Sequence, residues 1–199
     1  IINTLFMTAT PIPWTLTLTN YGNMEVSKII DKPMNKAKIK THAIPLDKLP
    51  SIYKRIMLTI DNGLKAFWIC PLIDESETLD ISTATNRFNE LSKLLPNSKI
   101  GLIHGKIPQV ERDRIMKEFL DGEINLLIGT TVIEVGIDVP DANLIIIEHA
   151  ERFGLAQLHQ LRGRVGRGTK ASNCVLLYNQ PLTSNAHKRI DTMRKTDNG

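Results

Sequence analysis

From about residue 37 the chain alternates between two kinds of segment, unbroken apolar runs and amphipathic stretches of helical period. "IKTHAIP", "AFWICPLI", "KIGLIHG", "INLLIGT", "ANLIIIEH" and "NCVLLYN" are short and rich in β-branched residues, and most run apolar without a polar break. Strands of that kind are buried on both faces, as in a parallel sheet covered by helices. Between them, "LPSIYKRIMLTIDNG" predicts a helix closed by Gly63, and "STATNRFNELSKLLP" one ended by Pro96. "PQVERDRIMKEFLDG" predicts a helix with Pro108 at its start and Gly122 after its end. The fold class is therefore α/β, a doubly wound parallel sheet.

Upstream the pattern differs. "IINTLFMTATPIP" predicts a short strand stopped by prolines, and "WTLTLTNYG" a helix ending at Gly22. Residues 28–40 carry Lys28, Lys32, Lys36, Lys38 and Lys40 against the single Asp31, with Pro33 and Asn35 among them, which is a linker composition. The domain reading is residues 1–27 as the end of a preceding domain, 28–40 as a basic linker, 41–182 as the α/β domain and 183–199 as the start of a helical extension. A chain that opens on Ile1 and closes on Asn198–Gly199 is expected to be cut at both ends.

Composition narrows the function classes. The 199 residues carry a net charge of +4 and are 42% hydrophobic but only 5% aromatic, which supports a full core and permits a polyanionic partner. Cys70 and Cys174 each sit in an apolar run and read as buried reduced thiols of a cytoplasmic protein. No apolar run approaches a membrane span, no signal segment opens the chain, and the five histidines lack metal-ligand spacing. The acidic run Asp74, Glu75 and Glu77 reads as a solvated loop ahead of a metal site.

Candidate chemistry gathers where strands end, because open parallel sheets bind ligands at their carboxyl edge. His104, Gly105 and Lys106 follow one strand; Thr130 and Thr131, then Gly136 and Asp138, follow the next. Taken singly, Thr130 also reads as a helix cap, Asp138 as a turn former before Pro140 and His104 as a surface residue. The stretch after "ANLIIIEH" reaches "LRGRVGRG", where Arg162, Arg164 and Arg167 alternate with glycines. Guanidinium forks on a closely approaching backbone suit phosphate. Gly163 and Gly166 are read as letting a helix approach its neighbours, with Gly168 ending it.

Together "TATPIP" (8–13), "TTVIEVGIDVPDAN" (130–143) and "AERFGLAQLHQLRGRVGRG" (150–168) resemble motifs III, V and VI of superfamily 2 helicases. With "CPLIDESE" (70–77) they are similar, more narrowly, to the RecG-type bacterial ATP-dependent DNA helicases that remodel branched DNA, and less closely to transcription-repair coupling translocases. The resemblance implies a RecA-like second helicase domain with a short tail of the first such domain at the N-terminus. It implies that Arg164 and Arg167 reach the terminal phosphates of a nucleotide, that Gln160 couples that site to DNA, and that Gly136 and Asp138 lie near the nucleotide. His104, Gly105, Lys106, Thr130 and Thr131 would touch the DNA backbone, and Arg162 would serve packing or DNA. ATP and Mg²⁺ are the implied cofactors of the intact enzyme, and the implied partners are branched or duplex DNA and the first RecA-like domain.

Two departures qualify this. Trp14 stands where the pattern continues with arginine after "PIP". The sequence also holds no G-x-x-x-x-G-K-[ST] phosphate loop and, by the resemblance, no metal-binding Asp-Glu strand end, so this chain alone is expected to be catalytically inactive. A non-catalytic nucleic-acid-binding module is the alternative from a different class.

Overall fold

The computed structural model describes residues 39–71, 77–130, 139, 141–168 and 170–196. The motif III segment, residues 28–38, Trp14, Thr131, Gly136 and Asp138 lie outside the described residues, and the linker expected to reach residue 40 is corrected at Ile39 and Lys40, which open the first strand. Six parallel strands form one sheet in the order β1-β6-β5-β2-β4-β3. They are β1 (Ile39–Pro45), β2 (Lys65–Ile69), β3 (Ile100–Ile103), β4 (Leu126–Gly129), β5 (Ala142–Ile147) and β6 (Ser172–Tyr178). The helices are α1 (Leu49–Asp61), α2 (Glu77–Leu94), α3 (Gln109–Leu120), α4 (Leu155–Arg162) and α5 (Ser184–Lys195). No helix among the described residues is long and apolar enough to cross a membrane.

The apolar runs explain the layering. Side chains alternate across a strand, so an unbroken apolar strand feeds two cores at once. Ala66, Trp68, Leu126, Ile128, Leu144, Ile146, Val175 and Leu177 point to one face, where Ile52 and Ile56 of α1 and Ala84 and Leu91 of α2 cover them. Phe67, Ile69, Leu127, Ile145, Ile147, Cys174 and Leu176 point to the other, under Ile115 and Phe119 of α3, Leu158 and Leu161 of α4, and Ile190 and Met193 of α5. Both cysteines are free and buried, on opposite faces of the sheet. Burial pushes the Cys174 thiol up to about 12, so it packs as a small apolar group.

Helix ends follow local chemistry. Gly63 and Gly122 take left-handed φ values of 67° and 83° just past α1 and α3, a conformation a Cβ disfavours. Gly101 in β3 answers a different need. A Cβ there would lie 2.9 Å from Leu127 Cδ1 and 3.0 Å from Ile115 Cγ2, so its absence lets α3 seat closely on the sheet.

Two expectations are corrected. The helix expected from Ser82 begins at Glu77. Glu77, expected in a solvated loop, is thus the first residue of that helix, while Asp74 and Glu75 lie outside the described residues. The arginine stretch is also not helical through Gly168. α4 stops at Arg162, Gly163 caps it, and Gly166 takes φ 74°. Arg164 and Arg167 therefore leave a turn, and their directions no longer follow a helical period.

Candidate nucleotide and DNA interface

The carboxyl rim of the sheet brings several sequence-selected residues together. Thr130, at the end of β4, is 2% exposed, and its backbone N–H donates to Ile103 O at 3.4 Å, which sets it beside His104 at the end of β3. His104 is half-buried and its carbonyl accepts from Ile107 N at 3.1 Å; Gly105 and Lys106 are exposed in the intervening turn. A Cβ on Gly105 would meet nothing within 4 Å, so that turn presents open backbone to solvent.

Arg112 in the first turn of α3 completes this group, and it was not selected from sequence. Its NH2 approaches Ile107 O at 3.4 Å. Thr130 Oγ1, His104 Nδ1 and Arg112 Nε are each buried with no hydrogen-bond partner among the described residues. An unmet buried polar atom costs about 1–3 kcal/mol, so each of the three calls for a partner from outside the described residues, whether protein, water or ligand. The hydroxyl and the guanidinium can donate, and an imidazole nitrogen donates in one of its two tautomers, so the set suits an oxyanion. Burial, and then the charge of Lys106, holds His104 below the ordinary histidine range. The signal in the sequence was one of two arginines on a charged helix, and its neighbours Glu111 and Arg114 pair with each other at 2.5 Å as on a solvated face.

The three arginines of the glycine-rich stretch separate. Arg162 is 5% exposed, and its NH1 donates to Met193 O at 3.0 Å and Thr196 O at 2.6 Å. Its NH2 lies 3.0 Å from His159 Nδ1. The guanidinium thus satisfies carbonyls at the C-terminal end of α5, where positive charge is favoured. Of the two roles left open for Arg162, packing is the one it fills here. Arg164 and Gln160 are half-buried, while Arg167 is exposed with its Nε 3.2 Å from Gly163 O. Burial, and then Arg162, lowers the pKa of His159 on the same helix.

Two carboxylates that follow β5 are held by other partners. Glu148 accepts from Trp68 Nε1 at 2.7 Å and from Arg87 Nε at 3.1 Å, and Arg87 NH2 completes a two-pronged ion pair with it. Glu151 lies 2.9 Å from His149 Nδ1 and accepts from Asn179 N at 3.3 Å.

Comparison with known proteins places this geometry. Residues 48–169 match the helicase conserved C-terminal domain family. The chain belongs to that family. It is 47% identical over 195 residues to the ATP-dependent DNA helicase RecG of Acidithiobacillus ferridurans, covering 98% of this chain and 28% of that protein. The RecG of Bacillus subtilis is 43% identical over 98% of this chain and 29% of its own length. The chain spans under a third of the RecG relatives it matches. Among solved structures, RecG bound to a three-way DNA junction superposes with a TM-score of 0.79 at 40% identity, covering 96% of this chain and 25% of that one. Yeast Dbp5 bound to RNA and ADP BeF3 shares the fold at a TM-score of 0.67 and 18% identity. The domain is thus a RecG-like, RecA-type helicase C-terminal domain.

Proposed function

We propose that this chain supplies the second motor domain of a RecG-type ATP-dependent DNA helicase that remodels branched DNA. One observation supports the reading: the arginine stretch divides, with Arg162 buried against the C-terminal end of α5, and with Arg164 half-buried and Arg167 exposed in the turn past α4. On this reading Arg164 and Arg167 meet the terminal phosphates of ATP held mainly by a first RecA-like domain. Arginines supplied from a second domain stabilise charge that spreads over the phosphoryl group as it transfers. Gln160 links that site to DNA, and Gly136 and Asp138 approach the nucleotide. Mg²⁺ belongs with the first domain, since this sequence has no phosphate loop to bring it in. Residues 1–27 are the tail of that domain, 28–38 the linker, and 183–199 the start of an extension.

The DNA side uses the carboxyl rim of the sheet. Thr130 Oγ1, Arg112 Nε and His104, with the Gly105 backbone, Lys106 and Thr131, contact phosphates of the duplex. The unpartnered buried donors support this, because phosphate oxygens accept from all of them. Contacts confined to phosphates carry no sequence information and weaken as salt rises.

Fluorescence anisotropy with two unrelated duplexes tests this. The two should bind alike, and affinity should fall on the order of fifty-fold between 50 and 200 mM salt if about three phosphates are neutralised. Arg112→Ala should reduce the slope of log affinity against log salt by about one. Affinity that ignores salt, or that favours one sequence strongly, contradicts the assignment.

A further inference from the structure

β5 ends in a corner held from both faces of the sheet. On the α1–α2 face, the Glu148 carboxylate, only 4% exposed, takes Trp68 Nε1 and two nitrogens of Arg87. Arg87 is fixed in turn: its NH1 donates to the Tyr53 hydroxyl at 2.8 Å and to Glu90 at 2.5 Å, and its guanidinium lies 5.0 Å over the Trp68 ring. On the opposite side, Glu151 holds Asn179 N through its carboxylate and Arg189 NH2 through its carbonyl, the latter at 2.7 Å.

Between these anchors stands His149, with φ 52° and ψ 48°. Among the described residues it is the one non-glycine residue with positive φ. A left-handed residue bearing a Cβ persists where its surroundings over-determine it, and such strain gathers at functional sites. Here the neighbour before it and the second residue after it are pinned to opposite faces. His149 itself lies 2.9 Å from Glu151 through Nδ1, and its carbonyl accepts Arg152 N at 2.9 Å. From this turn the chain runs through the buried Ala150 and Phe153 into α4 and then to the arginines.

We propose that the Glu148–His149–Glu151 corner, clamped by Arg87 and Trp68 on one face and by Asn179 and Arg189 on the other, sets the direction of α4 and so the position of the turn that carries Arg164 and Arg167. Arg87, Glu148 and His149 are then positioning residues, acting through the backbone they fix and touching no ligand themselves. The use of that positioning rests on the phosphate reading above; the mechanical coupling does not.

Amide hydrogen exchange of the 199-residue chain tests the coupling without any nucleotide. The reporters are the amides of Gly163, Arg164 and Val165, bonded to His159 O, Leu161 O and Arg162 O, and the reference is Ile115–Phe119 of α3. Arg87→Lys keeps the charge but gives up the fork that spans Glu148 and Tyr53. His149→Gly removes the left-handed strain and the contact with Glu151, and that relief opposes the extra freedom glycine gives the unfolded chain, so melting temperature should change little. Both variants should speed exchange at the reporters about tenfold or more while α3 keeps its protection. Reporters unchanged in His149→Gly, or quickened only in step with α3, overturn the proposal. His149→Gly decides the matter if Arg87→Lys fails to fold. Failure of the phosphate reading would appear separately, as turnover that survives Arg167→Lys in the active enzyme, with these exchange rates unaffected.

Discussion

Arg167→Lys should cut ATP turnover by roughly a hundred-fold or more while leaving the melting temperature of this domain nearly unchanged. The readout needs a complete nucleotide site, so the substitution belongs in a chimera in which this chain replaces the matching segment of Escherichia coli RecG, a relative 47% identical over 196 residues. Lysine keeps the positive charge and loses the planar fork that two phosphate oxygens can share. Stability should change little because Arg167 lies exposed in the turn past the end of α4. Phosphate release and thermal melting of the same variant separate the outcomes. A melting temperature lowered by many degrees with turnover intact would make Arg167 a structural residue.

The second large effect is on stability. Arg87→Met should destabilise the fold by about 3–5 kcal/mol, because it leaves the Glu148 carboxylate in a buried site without its counter-charge. At about 2–4 °C per kcal/mol for a protein of this size, the melting temperature should fall by roughly 10 °C. Burial alone would push the Arg87 pKa down; the hydrogen bond and charge of Glu148 more than offset that and raise it, which places the pair's strength in their mutual contact. The double variant Arg87→Met with Glu148→Gln should recover much of the loss, since no buried charge remains while the amide oxygen can still accept from Trp68. Thermal melts of the wild type and both variants check this. A single variant that melts like the wild type would mean the pair is a bystander.

Much of the fold was legible because a strand buried on both faces leaves an uninterrupted apolar run, and all six runs became strands of one parallel sheet. Helix stops were legible where glycine takes the left-handed turn, as at Gly63 and Gly122. In "RGRVGRG" that rule is ambiguous, since any of three glycines would serve; Gly163 ends the helix and Gly166 takes the positive φ. The rim positions His104, Gly105, Lys106 and Thr130 were legible from strand ends alone, because the sheet fixes where strand ends point. Long-range partners were not legible. Nothing local tells that Arg162 reaches carbonyls 31 and 34 residues onward, or that Glu148 belongs to Arg87, 61 residues before it. Arg112 escaped for the same reason, since its importance lies in an unmatched buried nitrogen that only packing reveals.

The central claim is that this chain is a motor half whose Arg164 and Arg167 complete a phosphate site held by another domain. Phosphate release with three-way junction DNA, measured for this chain alone and for the Escherichia coli chimera, tests it most directly. The account predicts no turnover above a buffer blank for the chain alone, and DNA-stimulated turnover for the chimera. Turnover by the isolated chain, or a well-folded chimera that binds the junction yet hydrolyses no ATP, would contradict it.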